Sequence, residues 1–211
     1  MGIIGCIEDL GSRCAPVQSA PAHGGIFIAC TMPMINENKL TNIITRCHQE
    51  LDELFLLHQE AVILAELESA IELLGCFSEL HQFHMDFENE QLIPMLAELG
   101  DPGRWPASLY SSEHDKVHEL LQKTAGRLLS LRDDHLSSKA MRRGIIALLD
   151  EQKTLKGVCE HHQEREEIGL LPELDKLSDT EWRTSIITPF LEEWTQRMEH
   201  NMKIVNQLDL S

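Results

Sequence analysis

Two copies of a histidine–glutamate pair are the clearest chemical signal in the sequence. His84 precedes Glu88 by four residues, His162 precedes Glu166 by the same step, and each pair is followed by a leucine, an aliphatic residue and a proline. Residues four apart lie about one helical turn from each other on one face of a helix, so their side chains can point to the same place. Imidazole and carboxylate groups are ligands for divalent metal ions. The repeat therefore predicts two half-sites for metal.

Two more histidines extend the repeat to four helices. When His48 is aligned with His114, the apolar positions around them also match, as Leu51 does with Val117. Two glutamates that bridge and four histidines that divide between two ions would make a dinuclear site with open positions, whereas a structural zinc site is a closed tetrahedron, usually richer in cysteine. The candidate ligands from this pattern are His48, His84, Glu88, His114, His162 and Glu166.

Apolar residues at three- and four-residue steps predict the helices that must position these ligands. Two glycines and two prolines within residues 100–106 predict a loop, and the prolines at 94 and 172 are expected to end or kink their helices. No glycine or proline marks the end of the first helix, so its turn is placed only within residues 58–68. The later helices are predicted over residues 108–131, 139–174 and, from a capping-box sequence at 178–181, to about 205.

These elements predict an all-α fold. Residues 36–177 are expected to form an antiparallel, up-down-up-down four-helix bundle that buries the histidine-bearing faces. Residues 1–35, rich in Gly, Pro and Ala, are predicted to be an irregular N-terminal extension with a short β-prone run at 26–30. Residues 178–211 are predicted to be an additional helix whose apolar stripe packs on the bundle or forms a homodimer contact. Packing is favoured because the stripe follows the fourth helix directly.

Composition limits the classes of partner. A formal net charge of -17 argues against nucleic acid and anionic membrane surfaces. No apolar run approaches the roughly 18 residues of a membrane helix, and no basic or apolar stretch precedes Cys6, so we expect a cytoplasmic protein without a signal peptide. The six cysteines lack any C-x-x-C spacing, which favours reduced thiols. No nucleophile elbow, phosphate loop or dinucleotide fingerprint occurs, which favours a binding protein over an enzyme.

The four-helix pattern resembles the hemerythrin-like family, also known as the HHE cation-binding domain. The resemblance covers about residues 38–177 and depends on Glu113-His114-Asp115 and on the two His-x-x-x-Glu segments that end in proline. It implies a non-haem centre of two iron ions, joined by an oxo or hydroxo bridge and held by the six ligands named above. Ferritin-like di-iron proteins differ, because they use Glu-x-x-His and have more carboxylates than histidines.

Two positions at this centre allow alternatives. His118 follows His114 by four residues on the same face, and oxygen-carrying hemerythrins have a histidine there that many other members lack; we include His118 as a seventh ligand. On the fourth helix either His161 or His162 could pair with Glu166. His162 is favoured because it reproduces the step from His84 to Glu88.

The resemblance implies three possible functions. The favoured one is binding or sensing of dioxygen or nitric oxide at an open position of the centre, without turnover of a substrate. The first alternative is a repair or stress-response factor that acts on iron-sulfur clusters or on reactive oxygen and nitrogen species. The long helices suit that group, but Cys6, Cys14 and Cys30 are isolated where such proteins have adjacent cysteines. The second alternative is iron storage or iron sensing.

Overall fold

The computed structural model of the protein describes residues 39–100, 103–134 and 136–208. All regular secondary structure within these ranges is helical, which confirms the prediction of an all-α chain for this part of the sequence. The predicted N-terminal extension, with its β-prone run and three of the six cysteines, lies outside the described residues. None of the described helices is long and apolar enough to cross a membrane.

Five successive helices make up the described chain, and each lies where the apolar periodicity predicts one. Helices α2 and α4 each consist of an α-helical, a π-helical and a second α-helical segment. The bounds are Leu40–Ile63 for α1; Leu67–Phe87, Glu88–Leu92 and Ile93–Glu98 for α2; Ala107–Asp133 for α3; Ser138–Arg165, Glu166–Leu170 and Leu171–Leu177 for α4; and Thr180–Val205 for α5.

The turn between α1 and α2 has no glycine because an alanine adopts the conformation that glycine usually supplies. Ala65 has a φ of 61°, in the left-handed region. Its backbone N–H donates to the carbonyl of Val62, and the N–H of Glu66 donates to the carbonyl of Ala61. This pair of hydrogen bonds is the Schellman motif, which most often ends a helix at glycine. The sequence therefore lacks the usual signal for this turn.

Replacing Ala65 with glycine is expected to stabilise the fold by about 0.5–1 kcal/mol, because it removes the left-handed strain of an L-residue while adding chain entropy to the unfolded state. Urea denaturation of the two proteins measures the difference. Ala125→Gly, in the interior of α3, serves as the control and should destabilise by about 1 kcal/mol. A loss of stability in Ala65→Gly would contradict this account of the turn.

Helix α5 begins one residue later than the capping-box sequence predicts. Its N-cap is Asp179, whose side chain accepts a hydrogen bond from the backbone N–H of Trp182 at 2.7 Å. The hydroxyl of Ser178 instead donates to the carbonyl of Leu174 at the end of α4. The predicted helix is confirmed, but the choice of Ser178 as its N-cap is wrong, because that hydroxyl is used by the preceding helix.

Two π-helical turns stand at equivalent places in α2 and α4. Each begins at a glutamate of the repeat, Glu88 or Glu166, and the residue five positions later donates its backbone N–H to that glutamate's carbonyl. Proline lacks an N–H and crowds the carbonyl four residues earlier, and the wider π turn before Pro94 and Pro172 accommodates it. Both helices continue past the proline, so of the two predicted effects the ending of the helix is wrong, and a kink at these positions stays a prediction.

Contacts between helices close a ring, in which α1 packs on α2, α2 on α3, α3 on α4 and α4 on α1. The carboxylate of Asp175, near the end of α4, accepts hydrogen bonds from the backbone N–H groups of Leu40 at 2.7 Å and Thr41 at 3.1 Å. It thereby caps α1, whose own N-cap residue Lys39 makes no side-chain hydrogen bond. The start of α1 and the end of α4 therefore lie together.

The apolar stripe of α5 is covered within the chain. Phe190 stacks on Phe87 and Phe83 of α2, with ring centroids 4.1 Å and 5.3 Å apart. The indole N–H of Trp194 donates to a carboxylate oxygen of Glu50 on α1 at 2.6 Å. Helix α5 thus contacts the two helices that carry His48 and His84. A homodimer contact through α5 stays a prediction and would need another face of that helix.

Candidate metal centre

Four buried imidazoles, one from each of α1 to α4, meet in two pairs. His48 Nε2 lies 3.2 Å from His84 Nε2, and His114 Nε2 lies 2.9 Å from His162 Nε2. All four histidines are buried, with at most 4% of their surface exposed. Metal–nitrogen bonds are about 2 Å long. The two nitrogens of each pair are therefore close enough together to bind the same ion.

Two buried glutamates lie between the histidine pairs, and each faces both. Glu88 has one oxygen 3.1 Å from His84 Nε2 and the other 3.2 Å from His114 Nε2. Glu166 has one oxygen 2.9 Å from His162 Nε2 and the other 3.1 Å from His48 Nε2. Each carboxylate therefore spans the gap between the pairs, and the two glutamates are related by the same repeat as the histidines.

The six side chains form two groups that could each hold a metal ion. Within each group the ligand atoms all lie within 4.8 Å of one another, and both glutamates belong to both groups. The π turns that begin at Glu88 and Glu166 fix where these carboxylates project; such turns often occur at functional sites. The first group contains His48, His84, Glu88 and Glu166, and the second contains Glu88, His114, His162 and Glu166.

The buried carboxylates fit metal ions. All four carboxylate oxygens of Glu88 and Glu166 are buried and have no hydrogen-bond partner among the described residues. Buried polar atoms are nearly always partnered, since an unpaired one loses its hydration without compensation. A cation in each group would supply the missing partners. Imidazole nitrogen and carboxylate oxygen without cysteine suit zinc, copper, iron or manganese, so the donor set alone leaves the metal open.

In the metal-free site, the buried glutamates are ionised and the neighbouring histidines take up protons. Burial opposes the charged form of Glu88, yet the neighbouring imidazoles, His84 foremost, hold its pKa well below its usual range. Burial likewise opposes the charged form of His48, but the nearby carboxylates of Glu166 and Glu167 raise its pKa to about 9. Protons on imidazoles thus offset the two carboxylates where metal ions are not bound.

Three of the four histidines are held from behind by an oxygen acceptor. His48 Nδ1 lies 2.9 Å from a carboxylate oxygen of Glu167, and His114 Nδ1 lies 3.0 Å from the amide oxygen of Asn89. His162 Nδ1 lies 3.2 Å from a carboxylate oxygen of Glu113, which also pairs with Arg165. A ring that donates its Nδ1–H in this way presents the lone pair of Nε2 to the centre, as metal ligation requires.

The sequence did not predict roles for these supporting acceptors. Asn89 follows Glu88 by one residue, Glu167 follows Glu166 by one, and Glu113 precedes His114 by one. Each acceptor supports a histidine on a different helix, so its role depends on how the helices pack. The position next to a ligand was the only signal available in the sequence.

The structure brings together six of the seven predicted ligands and leaves His118 outside both groups. His118 is half-buried, and its Nε2 lies 2.6 Å from the side-chain nitrogen of Gln122. Coordination by His118 therefore stays a prediction. On α4 it is His162 that enters the centre, whereas the side chain of His161 is 70% exposed and lies near Glu164.

The remaining described histidines differ in environment. The ring of His58 is buried between the carbonyl of Ala70, 2.7 Å from Nδ1, and the amide of Gln152, 2.8 Å from Nε2. Burial lowers its pKa to about 4, so it is a neutral core histidine. His81 is also buried, near His84, and His200 is exposed. His135 lies outside the described residues.

Two buried cysteines lie near the centre but belong to neither metal group. Cys47 precedes His48, and Cys159 lies one helical turn before His162. Burial raises the pKa of both thiols, to about 12 for Cys159. Thiolate is the form that ligates metal, so these residues are poorly suited to it.

A close approach at the π turn of α4 requires glycine. A Cβ atom on Gly169 would lie 2.8 Å from the ring of Trp105 and 3.0 Å from the hydroxyl of Tyr110. Tyr110 is fully buried, and its ring lies 6.5 Å from that of His162. Gly169 therefore lets the loop before α3 and the first turns of α3 pack directly over the centre.

A cleft of about 330 Å³ opens between α1 and α4, close to the centre. Its walls include Phe55, Phe77 and Leu155, and it also contacts Cys159 and Gln163, which flank His162 along α4. Charged side chains, among them Asp52, Lys156 and Glu160, also line the cleft, and none of the six grouped residues does.

A scan against protein-family models gives no match for the chain, and searches of curated proteins and of solved structures give no significant match. The resemblance to the hemerythrin-like family therefore depends on the sequence motifs quoted above.

Proposed function

We propose that this chain is a hemerythrin-like protein that holds two iron ions and binds dioxygen or nitric oxide at them. The observation that carries the proposal is the position of Glu88 and Glu166, each with one oxygen toward either histidine pair. Carboxylates in this arrangement bridge two cations, and four imidazoles complete one set of donors for each ion.

The proposed architecture is an antiparallel, up-down-up-down bundle of α1 to α4. The closed ring of helix contacts and the short connection between α1 and α2 favour it. The Asp175 carboxylate that caps α1 from the end of α4 favours it as well, because the first and last helices of such a bundle run in opposite directions. In this arrangement each helix contributes one histidine to the buried centre.

Each proposed ion would receive two imidazole nitrogens and one oxygen from each glutamate. A six-coordinate ion such as iron would then keep positions for a small ligand, which is the chemistry the metal supplies when bound. The chain's own residues hold those donors in place and exclude bulk water by burial. A diatomic molecule suits a centre that is this enclosed.

Metal content tests the centre. We expect the purified chain to contain two iron ions by elemental analysis, and His162→Ala to contain fewer, while the exposed neighbour variant His161→Ala keeps both. A wild-type chain without metal after anaerobic incubation with Fe²⁺ would overturn the proposal.

The same measurement on His118→Ala tests the predicted seventh ligand. A loss of metal would assign His118 to the centre, and retention of two ions would limit the centre to the six grouped residues.

Absorption spectroscopy tests ligand binding. The reduced, iron-loaded protein is expected to gain a stable visible band on exposure to dioxygen or nitric oxide and to lose it when the gas is removed. His162→Ala, handled in parallel, should show no such band. Rapid irreversible oxidation by dioxygen, without any reversible response to nitric oxide, would count against a carrier or sensor and favour the repair function.

A further inference from the structure

The sequence repeat relates the two halves of the centre residue by residue. His48 corresponds to His114 and His84 corresponds to His162, so the flanking residues correspond as well. The supporting acceptors behind the four imidazoles can therefore be compared position by position. Such acceptors fix the orientation and tautomer of a ligating histidine and raise its basicity.

The first corresponding pair of histidines is supported in both halves. Glu167 accepts from His48 at 2.9 Å, and Asn89, its equivalent after the other bridging glutamate, accepts from His114 at 3.0 Å. The acceptor is a carboxylate in one half and an amide in the other. Both rings nevertheless have a defined partner for Nδ1.

The second corresponding pair is supported in one half only. Glu113 lies behind His162, with an oxygen 3.2 Å from Nδ1. The residue that corresponds to Glu113 is Cys47, a buried thiol next to His48. Nδ1 of His84 is buried and has no hydrogen-bond partner among the described residues, and the ring packs instead against Trp194 of α5, with centroids 5.9 Å apart.

We infer that the two metal positions are unequal: the ion between His114 and His162 binds first and more tightly, and the ion between His48 and His84 is the exchangeable one. The inference builds on the proposed dinuclear function. Its reason is that Glu113 holds His162 in the ligating tautomer, whereas no described residue accepts from Nδ1 of His84. Outer partners of this kind typically change metal affinity about 10- to 100-fold.

The exchangeable ion, between His48 and His84, would lie beneath α5. Trp194 contacts the ring of His84 and donates to Glu50 on α1, so α5 covers the half of the centre in which only one of the two histidines has a supporting acceptor. Occupancy of this position would therefore be sensed by the indole of Trp194. In a Trp105→Phe variant, which removes the indole on the His162 side of the centre, the fluorescence should follow the second binding step rather than the first.

Anaerobic titration of the metal-free chain with Fe²⁺, followed by calorimetry and by Trp fluorescence, tests the inference. We expect two steps that differ about 10- to 100-fold in affinity. Glu113→Ala should weaken the tighter step about tenfold or more and leave the weaker step unchanged. Glu167→Ala is the matched variant in the other half and should weaken only the weaker step. Both replaced side chains are partly exposed, at 14% and 34%, which favours folding of the variants.

Circular dichroism of each metal-free variant checks that it is folded, and the milder Glu113→Gln replaces Glu113→Ala if it is not. Two ions bound with equal affinity by the wild-type chain would overturn the inference and leave the dinuclear centre intact. A weaker second step in Glu113→Ala, with the first step unchanged, would also overturn it. No uptake of Fe²⁺ by the wild-type chain would overturn the proposed function itself, so the two failures are distinguishable.

Discussion

Replacing Glu88 or Glu166 with glutamine is expected to lower the metal content of the purified chain from two ions to at most one. Each carboxylate has one oxygen toward each histidine pair, so either change removes one donor from both metal groups and half of the negative charge that faces the ions. Glutamine keeps the shape of the side chain, which limits the effect to charge and ligation. Elemental analysis relative to protein concentration measures the loss.

Exposed glutamates on the same helices provide matched controls. Glu90 lies in the π turn of α2, and Glu164 lies two residues before Glu166 on α4; both residues are exposed. These variants carry the same change in net charge and should keep two ions. If Glu88→Gln and Glu166→Gln both retained two ions, the carboxylates would not be bridging ligands.

The helices of the described residues could be predicted from the sequence because they have strong apolar periodicity. The break between α2 and α3 was also predictable, since glycine and proline mark it. The turn after α1 was not, because Ala65 adopts a left-handed conformation without glycine. The sequence also did not reveal that α2 and α4 continue past Pro94 and Pro172, because a π turn depends on how backbone carbonyls are arranged, which residue types alone do not show.

The six grouped ligands were predictable because helical spacing sets which side chains share a face. His118 shares that face with His114 but lies four residues, about 6 Å, further along α3, where its side chain meets Gln122. Helical spacing shows which side chains share a face of a helix. It does not show how far along the helix each of them lies from a site shared with other helices. Supporting acceptors such as Glu113 come from a neighbouring helix, so only the packed structure identifies them.

The stabilisation of the fold by bound metal is expected to increase as pH rises from 6.5 to 8.5. In the metal-free chain the pKa of His48 is raised to about 9. A raised histidine pKa contributes stability that is fully present below the unfolded value of about 6.5 and is lost as pH rises through the folded value. The metal-free fold should therefore lose stability across this window, by up to about 3 kcal/mol for His48 when the titration is complete.

The metal-loaded chain should not lose this contribution, because a ligating His48 carries no proton on Nε2 in the folded state and the unfolded chain is also neutral above about pH 6.5. The gap between the two forms therefore widens with pH. Urea denaturation at pH 6.5 and 8.5, with metal-loaded protein and with protein in excess chelator, measures the gap. The range stops at 8.5 because the raised pKa values of Cys47 and Cys159 would add a further loss of stability near and above pH 9.

His48→Gln is the control for this pH dependence, since glutamine keeps a polar side chain at the site but takes up no proton. Metal-free His48→Gln should lose less stability than the metal-free wild-type chain between pH 6.5 and 8.5. The stability of metal-free His48→Gln should still fall with pH, but less steeply. Burial opposes the charged form of His162, yet its carboxylate neighbours raise its pKa as well. Equal slopes in the two metal-free proteins would show that His48 does not hold a proton in the folded chain, and the charge balance inferred for the empty donor set would then be wrong.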